Sequence, residues 1–207
     1  MKNTPFIAVT SQPVPYHADT TAIFNTLCQQ NSNSLLLDSA EIGSKNSLQS
    51  LILINAAVKI TCLGNQVTFR ALNANGKQVL KEIHPVLSQL GTVSAVSFDN
   101  EFSVQFAPLD NQLDEDSKLQ AATIFDGLRV ISNHYQHSST PVFLGGLFAY
   151  DLVTNFIPMH GVELKDDGIN CPDYSFYLAE NLITIDHQSQ QATLKSFCFS
   201  QEEQVEV

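Results

Sequence analysis

The chain has 207 residues, room for one large domain or two small ones, and its 43% hydrophobic and 15% charged side chains exclude a disordered polypeptide. A net charge of −11, from 10 basic and 21 acidic side chains, leaves no Lys/Arg cluster to neutralise phosphates and excludes a nucleic-acid footprint. Met1 leads into no secretory signal, and no run approaches the roughly 20 apolar residues that cross a bilayer, so a cytoplasmic chain with no membrane partner is expected.

In chain order, Thr20 to Gln30 reads as a short helix with Ile23, Phe24 and Leu27 on one face and Asp19 or Thr20 as its cap. Leu35 to Leu37 is a short apolar strand ending in a polar turn that begins at Asp38. Ser50 to Ile54 and Val58 to Leu63 read as two further strands. Gly64-Asn65 is a turn that pairs the second of them with Val67 to Leu72. After the polar Asn73 to Gly76, the spacing of Val79, Leu80 and Ile83 predicts a helix over Lys77 to Leu90, ended or kinked by Pro85.

Ala95 to Phe98 and Phe102 to Phe106 flank Asp99-Asn100-Glu101 as a second hairpin. Leu113 to Ser117 opens the longest predicted helix, its acids at the positive end of the helix dipole. Leu119, Ala122, Phe125, Leu128, Ile131 and Tyr135 form that helix's apolar stripe. Val142 to Val153 is a central strand whose Gly145-Gly146 marks a bulge or a close backbone approach. Tyr174 to Asp186 and Ala192 to Phe199 pair across the polar turn His187 to Gln190. Strands outnumber helices and most are joined by short turns, so the expected class is α+β, with mixed or mostly antiparallel sheet and flanking helices. Ser200 to Glu203 looks like the first turn of another helix, which predicts a polypeptide continuing beyond Val207.

Few residues invite chemistry. Cys28, Cys62, Cys171 and Cys198 are widely spaced without a CxxC pair, the pattern of reduced structural thiols. His134 and His137 stand i, i+3, but no nearby carboxylate or Cys completes a ligand set, so no metal site is expected. Ser-His-Asp or Cys-His catalysis has no supporting elbow or oxyanion motif, and no catalytic residue is assigned. The strongest candidate is Leu37-Asp38-Ser39, where an acid and a hydroxyl at the end of a buried strand could hold a small zwitterion beside an apolar slot. Lys45 could add a charge for its carboxylate.

That segment, Leu36-Leu37-Asp38-Ser39, resembles the Leu-Leu-Glu-Ser motif of the large, chorismate-using subunit of anthranilate synthase, with Asp38 one methylene shorter than the usual Glu. Phe143-Leu144-Gly145-Gly146-Leu147-Phe148-Ala149-Tyr150-Asp151-Leu152 is similar to the same family's central signature in its compact, enteric form. Asn170 to Glu180 and Ile185-Asp186-His187-Gln188 extend the resemblance almost to the C-terminus. The likeness implies residues 1–19 as a variable N-terminal segment, 20–199 as the family's N-terminal region and 200–207 as the start of a truncated continuation. It implies a parent enzyme converting chorismate and ammonia (or glutamine) to anthranilate and pyruvate, with Mg²⁺ as cofactor and a glutamine amidotransferase subunit, component II, as partner. It further implies that the chorismate-binding half lies C-terminal to this chain, and that Ser39, Asp38 and Leu37, with Lys45, contribute to a feedback site for L-tryptophan. Gly145, Gly146, Tyr150 and Asp151 are expected to be structural. The alternatives are the related aminodeoxychorismate subunit of folate synthesis, a stand-alone amino-acid-binding module, or a purely architectural part.

Overall fold

The computed structural model describes residues 6–29, 31–38, 48–97, 100–108, 114–136, 138, 140–157 and 171–200. Its nine described strands form one sheet in which every pairing is antiparallel, flanked by short helices, an α+β fold. The strands run β1 (Ala8–Val14), β2 (Leu35–Asp38), β3 (Gln49–Leu63), β4 (Gln66–Ala71), β5 (Thr92–Ser97), β6 (Glu101–Gln105), β7 (Leu144–Phe148), β8 (Tyr174–Asp186) and β9 (Gln191–Cys198). The order across the sheet is β1-β9-β8-β3-β4-β6-β5, with β2 added beside β3 and β7 beside β8.

The two segments read as separate strands around Asn55 are one 15-residue strand, β3, and its irregular middle is the key to the architecture. From Leu53 to Val58 the chain takes five steps while its partner β8 takes four, from Leu182 to Leu178. One extra residue in a pleat of period two turns the following side chains to the opposite face. Thus Ile52 packs in a small cluster with Cys28, Ile183, Ile185 and Ala192, against α1 (Thr20–Cys28). Val58, Ile60 and Cys62, of the same parity, join the main core instead. The bulge at Asn55 to Ala57 broke the alternation that would have identified one strand.

The main core is covered by α2 (Ala74–Leu87) and α4 (Asp126–His134), which pack on each other. Val79, Leu80, Ile83 and Leu87 meet Phe69, Phe102, Val104 and Ile131, all fully buried or nearly so. α2 begins at the polar residues read as a turn, because the Asn73 side chain accepts the Gly76 N–H at 2.9 Å and caps it. It also runs two residues past Pro85, whose missing N–H removes only one bond near the helix end.

Three further expectations differ. The long helix from residue 113 is two short ones, α3 (Glu115–Gln120) and α4, separated by an extended Ala121. The Asp126 carboxylate takes the Thr123 N–H at 2.6 Å, a local bond that competes with helix continuation. The strand read over Val142 to Val153 is the five-residue β7, paired with β8, followed by a 3-10 helix at Tyr150–Asn155. Ala149 still donates its N–H to the Asp173 carbonyl at 2.7 Å, in register with the β7–β8 pairing, before the chain turns into the 3-10 helix. β1, for which no element was expected, pairs with β9 as an edge strand that tolerates Pro13. The expected helix start after Ser200, like Phe98 and Asp99 in the second hairpin, lies outside the described residues.

Candidate functional site

The site assembles where β2 ends. Asp38 stands directly opposite Ser50 of β3, while Ser50 is also opposite Ile185 of β8. This register puts the Asp38 carboxylate over a fully buried hydroxyl. Ser50 Oγ donates to Asp38 Oδ1. Thr20, the first residue of α1 and itself buried, donates its hydroxyl to Asp38 Oδ2 at 3.3 Å. The carboxylate therefore sits beside the positive end of α1, where a negative charge is favoured.

Ser50 is held in turn. Its Oγ lies 2.8 Å from His187 Nε2, and His187 Nδ1 lies 3.2 Å from the Tyr16 hydroxyl. The Tyr16 and His187 rings also meet edge-on with centroids 5.8 Å apart, and the His187 N–H bonds to the Leu48 carbonyl at 2.9 Å. A line of polar groups thus runs Tyr16–His187–Ser50–Asp38–Thr20, drawn from five separate segments. It has the residue types of a nucleophilic triad in the wrong order. Ser50 lies between the acid and the imidazole, gives its proton to the acid, and is sealed from solvent, so it cannot attack a substrate. What the arrangement can do is fix an acceptor. Each Asp38 oxygen has taken one hydroxyl and keeps a second lone pair for an ammonium or amide donor.

Of the residues expected at this site, Asp38 is placed with its partners and Leu37, 40% exposed, is opposite Leu51. Ser39 and Lys45 lie outside the described residues. Tyr16, Ser50 and His187 escaped sequence reasoning as site residues. The available signal was Ser50, the polar residue among the otherwise apolar buried positions of β3.

The other singled-out residues fall elsewhere. A Cβ at Gly146 would come within 2.2 Å of the Ser175 carbonyl oxygen, and one at Gly145 within 2.7 Å of the Phe143 ring. Tyr150 is 90% exposed and Asp151 also faces solvent, so neither packs into the sheet. His134 Nε2 pairs with Glu82 at 3.0 Å, and Tyr135 donates to the same carboxylate at 2.9 Å. Burial pushes the Glu82 carboxyl up, but hydrogen bonds from His134, Gln78 and Tyr135 outweigh it and hold it below the usual carboxylate range. His137 lies outside the described residues. All four cysteines are free, and burial, then the nearby Asp173 charge, pushes the Cys62 thiol up to about 12.

Two open concavities lie on the sheet, one at the end of β3 next to Ser50 and one over the bulge. One of about 290 Å³ is lined by Gln49, Thr184, Asp186 and Lys195 among others. The second, about 330 Å³, lies over Asn31, Asn55, Asn73 and Glu180. Among the described residues no three His, Cys, Asp or Glu side chains converge to hold a metal ion. No described helix is long and apolar enough to cross a membrane.

No family model matches the chain. Among curated proteins it is 84% identical over 202 residues to anthranilate synthase component 1 of Haemophilus influenzae, covering 98% of this chain and 39% of that protein. It is 43% identical to the protein of the same name from Vibrio cholerae, over 96% of this chain and 38% of the relative. For the Escherichia coli protein the identity is 36%, over 91% of this chain and 36% of the relative. The chain therefore spans less than two fifths of the length of each of these relatives.

Proposed function

This chain belongs to the anthranilate synthase component 1 family along the stretch it spans, and we propose that it is that family's N-terminal regulatory part, contributing the acidic end of an L-tryptophan feedback site. The observation that carries the reading is the Asp38 carboxylate at the tip of β2, oriented by two hydroxyls with lone pairs left for a ligand ammonium. Leu37 and the following Ser39 complete the sequence element, and Lys45 offers a charge for the ligand carboxylate.

The whole protein would convert chorismate and ammonia, or glutamine through an amidotransferase subunit, to anthranilate and pyruvate. Its chorismate- and Mg²⁺-binding residues belong to the length of the relatives that this chain does not span. Tryptophan at the Asp38 end would favour an arrangement of the two parts that accepts chorismate poorly. Chorismate must then weaken tryptophan binding by the same factor, typically about 5- to 150-fold. The architectural alternative makes no use of an oriented ammonium acceptor at this point of the sheet, and the relatives named above favour anthranilate synthase over the aminodeoxychorismate alternative.

The test uses the whole enzyme carrying this segment, assayed for anthranilate from chorismate, ammonia and Mg²⁺ with increasing L-tryptophan. Asp38→Ala and Ser39→Phe should leave turnover intact and relieve inhibition. Unchanged inhibition in both would remove this end of the sheet from the regulatory site. The chain alone should not turn over chorismate.

A further inference from the structure

Tyr16, Ser50 and His187 converge on Asp38 from the segment after β1, from β3 and from the end of β8. We propose that Ser50 and His187 are the positioning residues of the Asp38 site, a hydrogen-bonded relay that holds its carboxylate ready for a ligand's ammonium group. The proposal rests on the tryptophan reading above and adds residues that neither the motif nor the resemblance assigned a role.

The direction of every proton in the relay follows from counting. Ser50 has one hydroxyl proton and gives it to Asp38. A fully buried hydroxyl oxygen then accepts, and the group in reach is His187 Nε2 at 2.8 Å, which must carry the hydrogen. With Nε2 protonated in the neutral imidazole, Nδ1 is the acceptor for the Tyr16 hydroxyl at 3.2 Å. Tyr16, His187 and Ser50 therefore all donate toward Asp38, and successive bonds polarise one another in that direction. On the other side Thr20 pins Oδ2. A carboxylate held at both oxygens has lost its rotamer freedom before the ligand arrives, so binding need not supply that ordering. The relay also explains a fully buried serine among the apolar buried positions of β3, and a histidine whose two ring nitrogens both face protein groups.

The experiment has two arms on the intact chain. In the first, nitrogen NMR at mildly alkaline pH reads the His187 tautomer. Nε2 should be protonated and Nδ1 unprotonated, and Asp38→Ala, which frees the Ser50 proton to turn toward Nε2, should raise the Nδ1–H fraction. In the second, L-tryptophan is titrated into wild type, Ser50→Ala, His187→Leu and His187→Gln. Ser50→Ala should weaken binding about tenfold, the loss of one hydrogen bond to a charged group, and His187→Leu, which leaves the Ser50 oxygen without its donor, about fivefold. His187→Gln, which restores an N–H donor near Nε2, should recover most of the affinity. If wild type binds and the leucine and alanine variants bind equally well, the positioning role is overturned while the tryptophan site stands. If wild type does not bind, the tryptophan reading fails on this chain, and the tautomer decides the relay: an Nδ1–H imidazole indifferent to Asp38→Ala would overturn it.

Discussion

At one end of the sheet Phe69, Phe102 and Val104 pack against Ile83 of α2 and Ile131 of α4; at the other, the apolar cluster shrinks to Cys28 of α1 with Ile52, Ile183, Ile185 and Ala192. There a line of hydroxyls, an imidazole and a carboxylate replaces what would otherwise be more aliphatic packing. Both ends share β3 and β8, and a single extra residue near Asn55 decides which face each one buries. The difference teaches where this chain keeps its stability and where it keeps its chemistry. Apolar area is non-directional and holds the large end together. Directional bonds at the small end hold one carboxylate in one orientation.

Substitutions should separate the two ends, beginning with the largest effect. Phe69→Ala empties a fully buried aromatic site stacked on Phe102 at 5.1 Å. It should cost about 4 kcal/mol in urea unfolding, with tryptophan affinity of the surviving folded fraction unchanged. Gly146→Ala drives a Cβ into the β8 backbone and should cost about 3 kcal/mol by the same assay. Comparable losses from Ile52→Ala and Phe69→Ala would break the distinction, because the small cluster should collapse around the lost methyls more cheaply.

Glu82 gives the large end its pH signature. Its carboxyl is held below the usual range, so its contribution is present above the unfolded-state value of about 4.3 and is lost as pH falls through the lower folded-state value. Glu82→Gln should cost about 2 kcal/mol near neutrality and flatten the acid limb of the stability profile. An unchanged limb would detach His134 and Tyr135 from that carboxylate. The smallest stability effect belongs to Asp38→Ala, about 1 kcal/mol for leaving the Ser50 hydroxyl without its acceptor. Its effect on tryptophan should be the largest of the set, which is the sharpest form of the contrast.

Much of the large end was legible in the sequence. The Gly64-Asn65 hairpin and the second hairpin before Phe102 follow from turn residues between β-rich runs, as does the pairing of β8 with β9 at the small end. The failures have local causes. Asn73 looked like a turn because its capping bond to Gly76 is invisible in composition, and the α3–α4 break hides in the Asp126 side chain. At the small end the motif located Asp38, since a strand ending in an acid is a local pattern. Its supports were illegible because Tyr16, Ser50 and His187 are brought together by β3–β8 and β1–β9 pairing across more than a hundred residues. Period-two patterns carry register, not the identity of a polar partner on another strand.

The central claim is that the small end is a ligand site built around an oriented Asp38. Calorimetric titration of L-tryptophan into the chain, beside L-phenylalanine and Asp38→Ala, tests it most directly. Saturable binding of tryptophan, absent for phenylalanine and abolished by Asp38→Ala in a chain that remains folded, is the expected result. Tryptophan heats that are absent, or that survive Asp38→Ala unchanged, would contradict it.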